Sequence, residues 1–336
     1  MHKAAGDGAT RRSSRVGRRT LERALLASCL VGLQACAART PAPPPVTAPT
    51  GVAEAIRLRV ETRAGIRSIA LEDYVAGVVA AEIGVARSDP ELASRALRLQ
   101  ALLSRTYAVA NLGRHRDEGF DLCSETHCQV YQAPPGSRAG ELVAAAVAAT
   151  RGMAVLYKGR PIEAVYHTHC GGHTSPSQFV WGSAPVPYLA GVPDPYCLRT
   201  PSTWQFEATE HDLHDALDRT AATRIDGRLR SITATGTDPG GRVWELLLEA
   251  DTPMTVRGDR FREAVLRRFG PSSLRSQKYT VQREGDRFVF EGAGSGHGAG
   301  LCQVGALARL ADGRSPAEVL EYYYPGTTIG PLASGT

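Results

Sequence analysis

The stretch 71–107, LEDYVAGVVAAEIGVARSDPELASRALRLQALLSRTY, constrains the fold of this chain most. It writes two helices in succession and leaves a carboxylate at the joint. Leu71, Val75, Val78 and Val79 recur at helical spacing, and Glu82 follows at i+4 and i+3 from the last two. The carboxyl therefore belongs on or beside the apolar stripe. The helix is expected to end at Ile83-Gly84, which puts Glu82 near the negative pole of the helix dipole. Burial and that dipole both disfavour the ionised form and raise the pKa. A carboxyl kept protonated near neutral pH is what a general acid requires. The competing reading is an ordinary surface glutamate in a last helical turn. In the second helix Asp89 is the expected N-cap, with Pro90 at the first helical position. Leu92, Ala96, Leu99, Leu103 and Ala110 form an apolar stripe, and Gly113 is the expected C-cap. Gln100, Ser104 and Tyr107 share a second face with Arg105 beside it. Such a face is usually just solvated, but here it would adjoin Glu82.

The ends of the chain read differently. Residues 1–35 have the form of an export signal, a basic stretch followed by the short apolar run Ala24–Leu33, which is too short to span a bilayer. Leu33-Gln34-Ala35-Cys36 resembles a lipobox with Cys36 as the lipidated residue; the alternative is a plain cleaved signal in which Cys36 is incidental. Residues 36–55 are then the lipidated cysteine and a Pro-rich tether without a core. The signal holds seven Lys/Arg against two Asp/Glu, and the whole chain is +5, so the remainder is neutral, with 32 of each sign. The basic balance belongs to the signal, and nucleic acid is not an expected partner.

Residues 51–330 suffice for two compact lobes. Alternation at 57–62 and 67–72 predicts a hairpin, 141–150 a small-residue helix, and 153–167 two strands around Lys158-Gly159. Residues 198–290 mix helices (211–220, 260–269) with alternating strands (230–236, 242–250). They are expected to form a second α+β lobe inserted between 56–197 and the final motif at 291–330, with 331–336 as a tail. The fold class expected is α+β, mixed and two-lobed, with short helices packed on β-hairpins and small sheets.

Five cysteines follow Cys36. In an exported protein disulfides are the default. Cys170 has a ready partner in Cys197 of DPYC, which leaves Cys302 over as a buried free thiol. Cys123, His127 and Cys128, with His115 as a fourth, are soft ligands suited to zinc, and a local Cys123–Cys128 disulfide is the open alternative. His167, His169, Cys170 and His173 form a weaker candidate metal cluster. The segment 292–313, GAGSGHGAGLCQVGALARLADG, is not a nucleotide loop. No Gly-Lys-Ser/Thr follows it and no strand-acid pattern surrounds it.

Four segments together resemble the SpoIID/LytB family, the stage II sporulation protein D group. They are LEDYVAGVVAAE with the helix ending LQALLSRTYAV; DLCSETHCQVY (121–131); YHTHCGGHT with Trp181-Gly182 and Pro187-Tyr188-Leu189; and Gly296-His297-Gly298 with Gly300, Gln303, Gly305 and Ala306. The match covers roughly residues 57–330 and is weakest at 198–255. Ile83-Gly84 stands where the family often has Met-Pro, and Thr168 or His169 where serines usually sit.

The resemblance implies an envelope lytic transglycosylase that cleaves the MurNAc–GlcNAc bonds of peptidoglycan strands stripped of peptide, with Glu82 as the catalytic acid-base. Such an enzyme can work with one carboxylate, because the sugar's own 6-hydroxyl replaces water. Candidate substrate-binding residues are Gln100, Arg105, Gln129, Tyr131, His167, Gly171, Gly172, Thr174, Trp181, His297 and Gln303, gathered with Glu82 in one cleft. Trp181 suits stacking on a sugar ring, and the glycine pair lets backbone approach a ligand. No cofactor is required. Zinc at the Cys123 loop, which some family members carry, would be structural. The expected location is the envelope, anchored through Cys36 and facing the periplasm. The alternative is a non-catalytic glycan-binding protein that stimulates a cell-wall amidase, and a third reading is a metallo-hydrolase built on His167, His169 and His173.

Overall fold

The computed structural model describes residues 57–62, 65–83, 89–133 and 136–333. The expected export signal, Cys36 and the Pro-rich tether lie outside the described residues. Strands β1 (Arg57–Thr62) and β2 (Gly65–Ala70) form the opening hairpin, and the two-residue strand β3 (Leu122–Cys123) adds to β1 in parallel. The second strand sits two residues earlier than alternation suggested. Leu71 and Glu72 instead begin helix α1 (Leu71–Glu82), whose apolar residues Leu71, Val75, Val78 and Val79 are all wholly buried.

Helix α2 (Pro90–Ala110) is the axis of the fold. The Asp89 carboxylate caps it, accepting the Glu91 and Leu92 N–H groups at 3.0 Å each. Its C-cap is Asn111 rather than Gly113, and the Asn111 amide donates back to the Tyr107 carbonyl at 3.0 Å. Every residue from Leu99 to Val109 is buried. There is no solvated face because α1, α3 (Arg138–Ala149), β4 (Met153–Tyr157), α7 (Gln303–Ala311) and α8 (Pro316–Tyr323) surround it. Arg105 is consequently a core residue and not a cleft residue. Its guanidinium forks onto Glu72 of α1 at 2.9 and 2.6 Å. The remaining N–H groups go to the carbonyls of Ala101, Val147 and Met153 and the Thr150 hydroxyl. No donor is left for a ligand, and one side chain ties α1, α2, α3 and β4 together.

Strand β4 lies between β5 (Arg160–Pro161) and β14 (Thr328–Pro331). The second strand expected through 167 breaks after β5. Residues 166–167 become β6 (Tyr166–His167), which pairs in parallel with β13 (Leu301–Cys302), the strand that runs into α7.

All described residues belong to one compact unit of chain, within which buried side chains gather in two clusters. The first holds α1–α3, β4, α7 and α8. The second is built from the three-stranded sheets β11-β12-β7 and β10-β9-β8 with helices α5 (Glu210–Leu217) and α6 (Gly258–Phe269). Its strands are β7 (Thr203–Thr209), β8 (Ser231–Thr237), β9 (Val243–Glu249), β10 (Met254–Arg257), β11 (Tyr279–Glu284) and β12 (Arg287–Ala293). The chain enters at Thr203 and leaves at Ala293, and these two residues pair with each other. The excursion thus returns the backbone beside its starting point, ready to deliver β13 to β6. The architecture is α+β, and no helix among the described residues is long and apolar enough to cross a membrane.

Candidate functional site

A cleft of about 900 Å³ opens where α1 ends, bounded by the 126–130 loop, β6, the short helix α4 (Ser177–Trp181) and the His297 turn. Glu82, the last residue of α1, lines it half-buried. Three donors reach its carboxylate: the Tyr166 hydroxyl, the Val130 backbone N–H and the Gln303 amide. Burial pushes the Glu82 pKa above the ordinary carboxylate value, and these hydrogen bonds pull against it without cancelling it.

The groups around Glu82 hold one another. Tyr166 accepts from the Gln129 amide at 3.2 Å, and Gln129 in turn accepts from the Tyr74 hydroxyl at 3.4 Å. Ser104 also hydrogen-bonds Tyr166. Gln303 donates to Gln100 at 3.4 Å, and Gln100 donates to Ser104 at 3.2 Å. Glu82, Tyr166, Ser104, Gln100 and Gln303, drawn from α1, β6, α2 and α7, therefore set their polar groups against one another. The polar face of α2 adjoins Glu82 as expected, buried rather than wet.

Two histidines flank this polar cluster. His297 Nε2 donates to the Tyr166 carbonyl at 2.9 Å while its Nδ1 accepts the Ala299 N–H at 3.1 Å, so the imidazole is fixed as the neutral Nε2–H tautomer. Burial lowers its pKa to about 4. His167 donates from Nδ1 to the Ala299 carbonyl at 3.1 Å, and burial holds its pKa well below the usual value. That leaves His167 Nε2 an acceptor with no partner among the described residues. Neither imidazole carries a proton to give near neutral pH. Trp181, 44% exposed, lies against His297 with ring centroids 5.4 Å apart, presenting an aromatic surface at the cleft wall.

Glu82, Gln129, His167, Trp181, His297 and Gln303 thus share the cleft. Others expected there do not line it. Gln100 acts through Ser104 and Gln303. Tyr131 stacks on Tyr74 at 5.5 Å and lines a separate groove with Arg67 and Glu125. The Thr174 hydroxyl is buried against the Val192 backbone, accepting its N–H at 2.8 Å. Gly171 and Gly172 face Lys278 and Leu198, away from the cleft. His169 hydrogen-bonds the Thr200 carbonyl and His173 the Thr174 carbonyl, so the three histidines do not converge on an ion. Sequence reasoning missed Tyr166 as a functional group, and also Tyr107, Arg114, Glu163 and Tyr188, which line the cleft. Tyr166, Tyr107 and Tyr188 carried a signal in their places in the family-like segments, and Arg114 and Glu163 carried none.

The 126–130 loop is anchored at one end by a cluster suited to a metal. His115, Cys123, His127 and Cys128 bring one ligand atom each within 4.8 Å of one another. His115 Nε2 lies 3.3 Å from Cys128 Sγ, and His127 Nδ1 lies 3.9 and 3.8 Å from the sulfurs of Cys123 and Cys128. The other His115 nitrogen contacts the Glu118 carboxylate at 2.7 Å, the kind of outer partner that orients a metal-bound imidazole. Both thiols are free, and two cysteines with two histidines form a zinc-type donor set. The expected Cys170–Cys197 disulfide is absent. All five cysteines of the described residues are free thiols, and Cys170 and Cys197 instead meet Cys302 and Asp194.

The comparisons with known proteins agree with this core. The family model described as stage II sporulation protein, SpoIID, matches residues 61–157, and a domain of unknown function, DUF8618, matches 199–300. An uncharacterised protein of Brachyspira hyodysenteriae is 31% identical over 80% of this chain and 69% of its own length. The stage II sporulation protein D of Bacillus subtilis is 29% identical over 79% of this chain and 75% of its own. The amidase enhancer of Bacillus subtilis is 27% identical over 70% of this chain and 38% of its own. With the matched residues 61–157 supplying Glu82 and Gln129 to the cleft, and with relatives that cover most of the chain, the chain belongs to the SpoIID family.

Proposed function

We propose that this protein is a peptidoglycan lytic transglycosylase acting on glycan strands, with Glu82 as its single acid-base residue. The observation that carries the reading is a half-buried carboxyl of raised pKa, held by three donors in a cleft with an aromatic wall. Protonated Glu82 gives its proton to the glycosidic oxygen as the bond from C1 of MurNAc breaks. The carboxylate then takes the proton of the same sugar's 6-hydroxyl, whose oxygen closes on C1. The product is a 1,6-anhydro end, no water is consumed, and Glu82 finishes protonated as it began. Tyr166, Gln303 and the Val130 N–H stabilise the carboxylate between the two transfers. Trp181, exposed at the cleft wall, is placed to stack on a sugar ring.

A hydrolase of the two-carboxylate kind would need a second acid. Glu163 lines the same cleft but is exposed to solvent, outside the polar cluster that holds Glu82. Glu82→Gln is expected to lower cleavage of denuded glycan by about 10²–10⁴-fold with binding retained, whereas Glu163→Gln keeps cleavage. Full activity in Glu82→Gln would overturn the assignment. The likeness to a protein named amidase enhancer supports a second reading, a glycan-binding partner of a cell-wall amidase. Binding without cleavage by the parent protein would favour it. We further propose that zinc at His115, Cys123, His127 and Cys128 would order the loop that carries Gln129 and Val130 to Glu82, taking no part in the chemistry.

A further inference from the structure

Away from the cleft, three cysteines distant in sequence meet in the interior. Cys170 follows β6, Cys197 opens the 3-10 turn Cys197–Arg199, and Cys302 ends β13 and caps α7 through its sulfur. All three are buried, as is the Asp194 carboxylate, and the four ligand atoms lie within 4.8 Å of one another. A tetrahedral ion with bonds of about 2.3 Å keeps its sulfurs about 3.8 Å apart, so this spacing suits one ion and not the wider core of an iron–sulfur cluster.

The surroundings are those of metal thiolates. Cys302 Sγ accepts backbone N–H bonds from Cys170 at 3.2 Å and Gly305 at 3.4 Å. The Asp194 carboxylate accepts from the Tyr323 hydroxyl at 2.7 Å and faces Arg309 at 3.6 Å. Two more cations grip the same turn: Arg242 donates to the Cys170 carbonyl and Lys278 to the Gly171 carbonyl, the latter at 2.7 Å. Three thiolates, a carboxylate and a dication sum to a net negative group, and these three cations offset it. Parity points the same way. A Cys170–Cys197 disulfide would strand Cys302, whereas two metal sites use all five cysteines of the described residues.

We propose that Cys170, Asp194, Cys197 and Cys302 form a second, closed metal site that takes one zinc ion or another thiophilic divalent cation. The site clamps β6 to β13. Tyr166 lies just before Cys170 and Gln303 directly after Cys302, so the ion fixes both side chains that donate to Glu82.

The test uses the purified full chain carrying Cys123→Ser and Cys128→Ser, which removes the other donor set. One zinc per chain by elemental analysis is expected to remain, and cobalt exchanged into the site should give thiolate-to-metal absorption of a three-sulfur set. Adding Cys302→Ala should abolish both signals. In the parent protein, Cys170, Cys197 and Cys302 should resist alkylation until chelator and denaturant are both present, and then react as reduced thiols. A metal-free double variant, a cobalt spectrum without thiolate bands, or a disulfide among these cysteines in unreduced peptide maps would overturn the proposal.

Discussion

At the scale of single residues, the site is an argument about one proton. Glu82 is useful as an acid only while protonated, so cleavage should fall as pH rises through its pKa. Burial raises that pKa and the Tyr166 hydroxyl opposes the rise. Tyr166→Phe is therefore expected to move the alkaline limb of kcat/KM to higher pH while lowering the maximum; a limb that stays or moves down would contradict the role given to Tyr166. The same shift has a stability consequence. With its folded pKa raised, Glu82 contributes stability that is fully present below the ordinary carboxylate pKa of about 4.3 and is lost as pH rises through the folded value. Glu82→Gln removes this loss, so its melting temperature relative to the parent should be more favourable at pH 7 than at pH 4. Glu82 itself was legible from sequence, since helical spacing put it beside an apolar stripe. Tyr166 as a proton partner was not, because its place depends on β6 pairing with β13, strands more than 130 residues apart.

At the scale of elements, α2 is the part whose misreading teaches most. Its caps and apolar positions follow from local chemistry, and the Asp89–Pro90 start is where the sequence put it. Helix α8 likewise opens on local chemistry, a complete Ser315–Glu318 capping box. Periodicity nevertheless marked Arg105 as the edge of a polar face. Its true partner, Glu72, is 33 residues earlier, and α3 and β4 close the remaining donors. From Leu99 to Val109 the helix is buried all round, so no solvated face there distinguishes a core position from a cleft position. Removing Arg105 leaves Glu72 buried without its counter-ion, so Arg105→Ala should destabilise by about 3–5 kcal/mol in urea unfolding. Lysine should not restore the loss, because a point charge cannot span the carboxylate and three carbonyls. A change below about 1 kcal/mol would mean that the pair is peripheral.

At the scale of the whole molecule, the first buried cluster holds the strand pair that carries Tyr166 and Gln303, and the 203–293 excursion grips the turn after β6 through Arg242 and Lys278 and the His169–Ser295 backbone pair. The buried side chains change cluster between Cys197 and Trp204, close to the shift in sequence pattern after residue 198. The convergence of Cys170, Cys197 and Cys302 could not be anticipated, since sequence spacing offered a ready pair and left the third thiol unassigned. We propose anchoring through Cys36, and Cys36→Ser should move the exported protein from the membrane fraction to the soluble fraction with its fold intact; retention at the membrane would sink the lipoprotein assignment. The central claim is that Glu82 alone runs a reaction in which water takes no part. It is tested most directly by digesting denuded glycan in ¹⁸O-labelled water and reading the new chain ends by mass spectrometry. The account predicts 1,6-anhydro ends without label, and labelled reducing ends would contradict it.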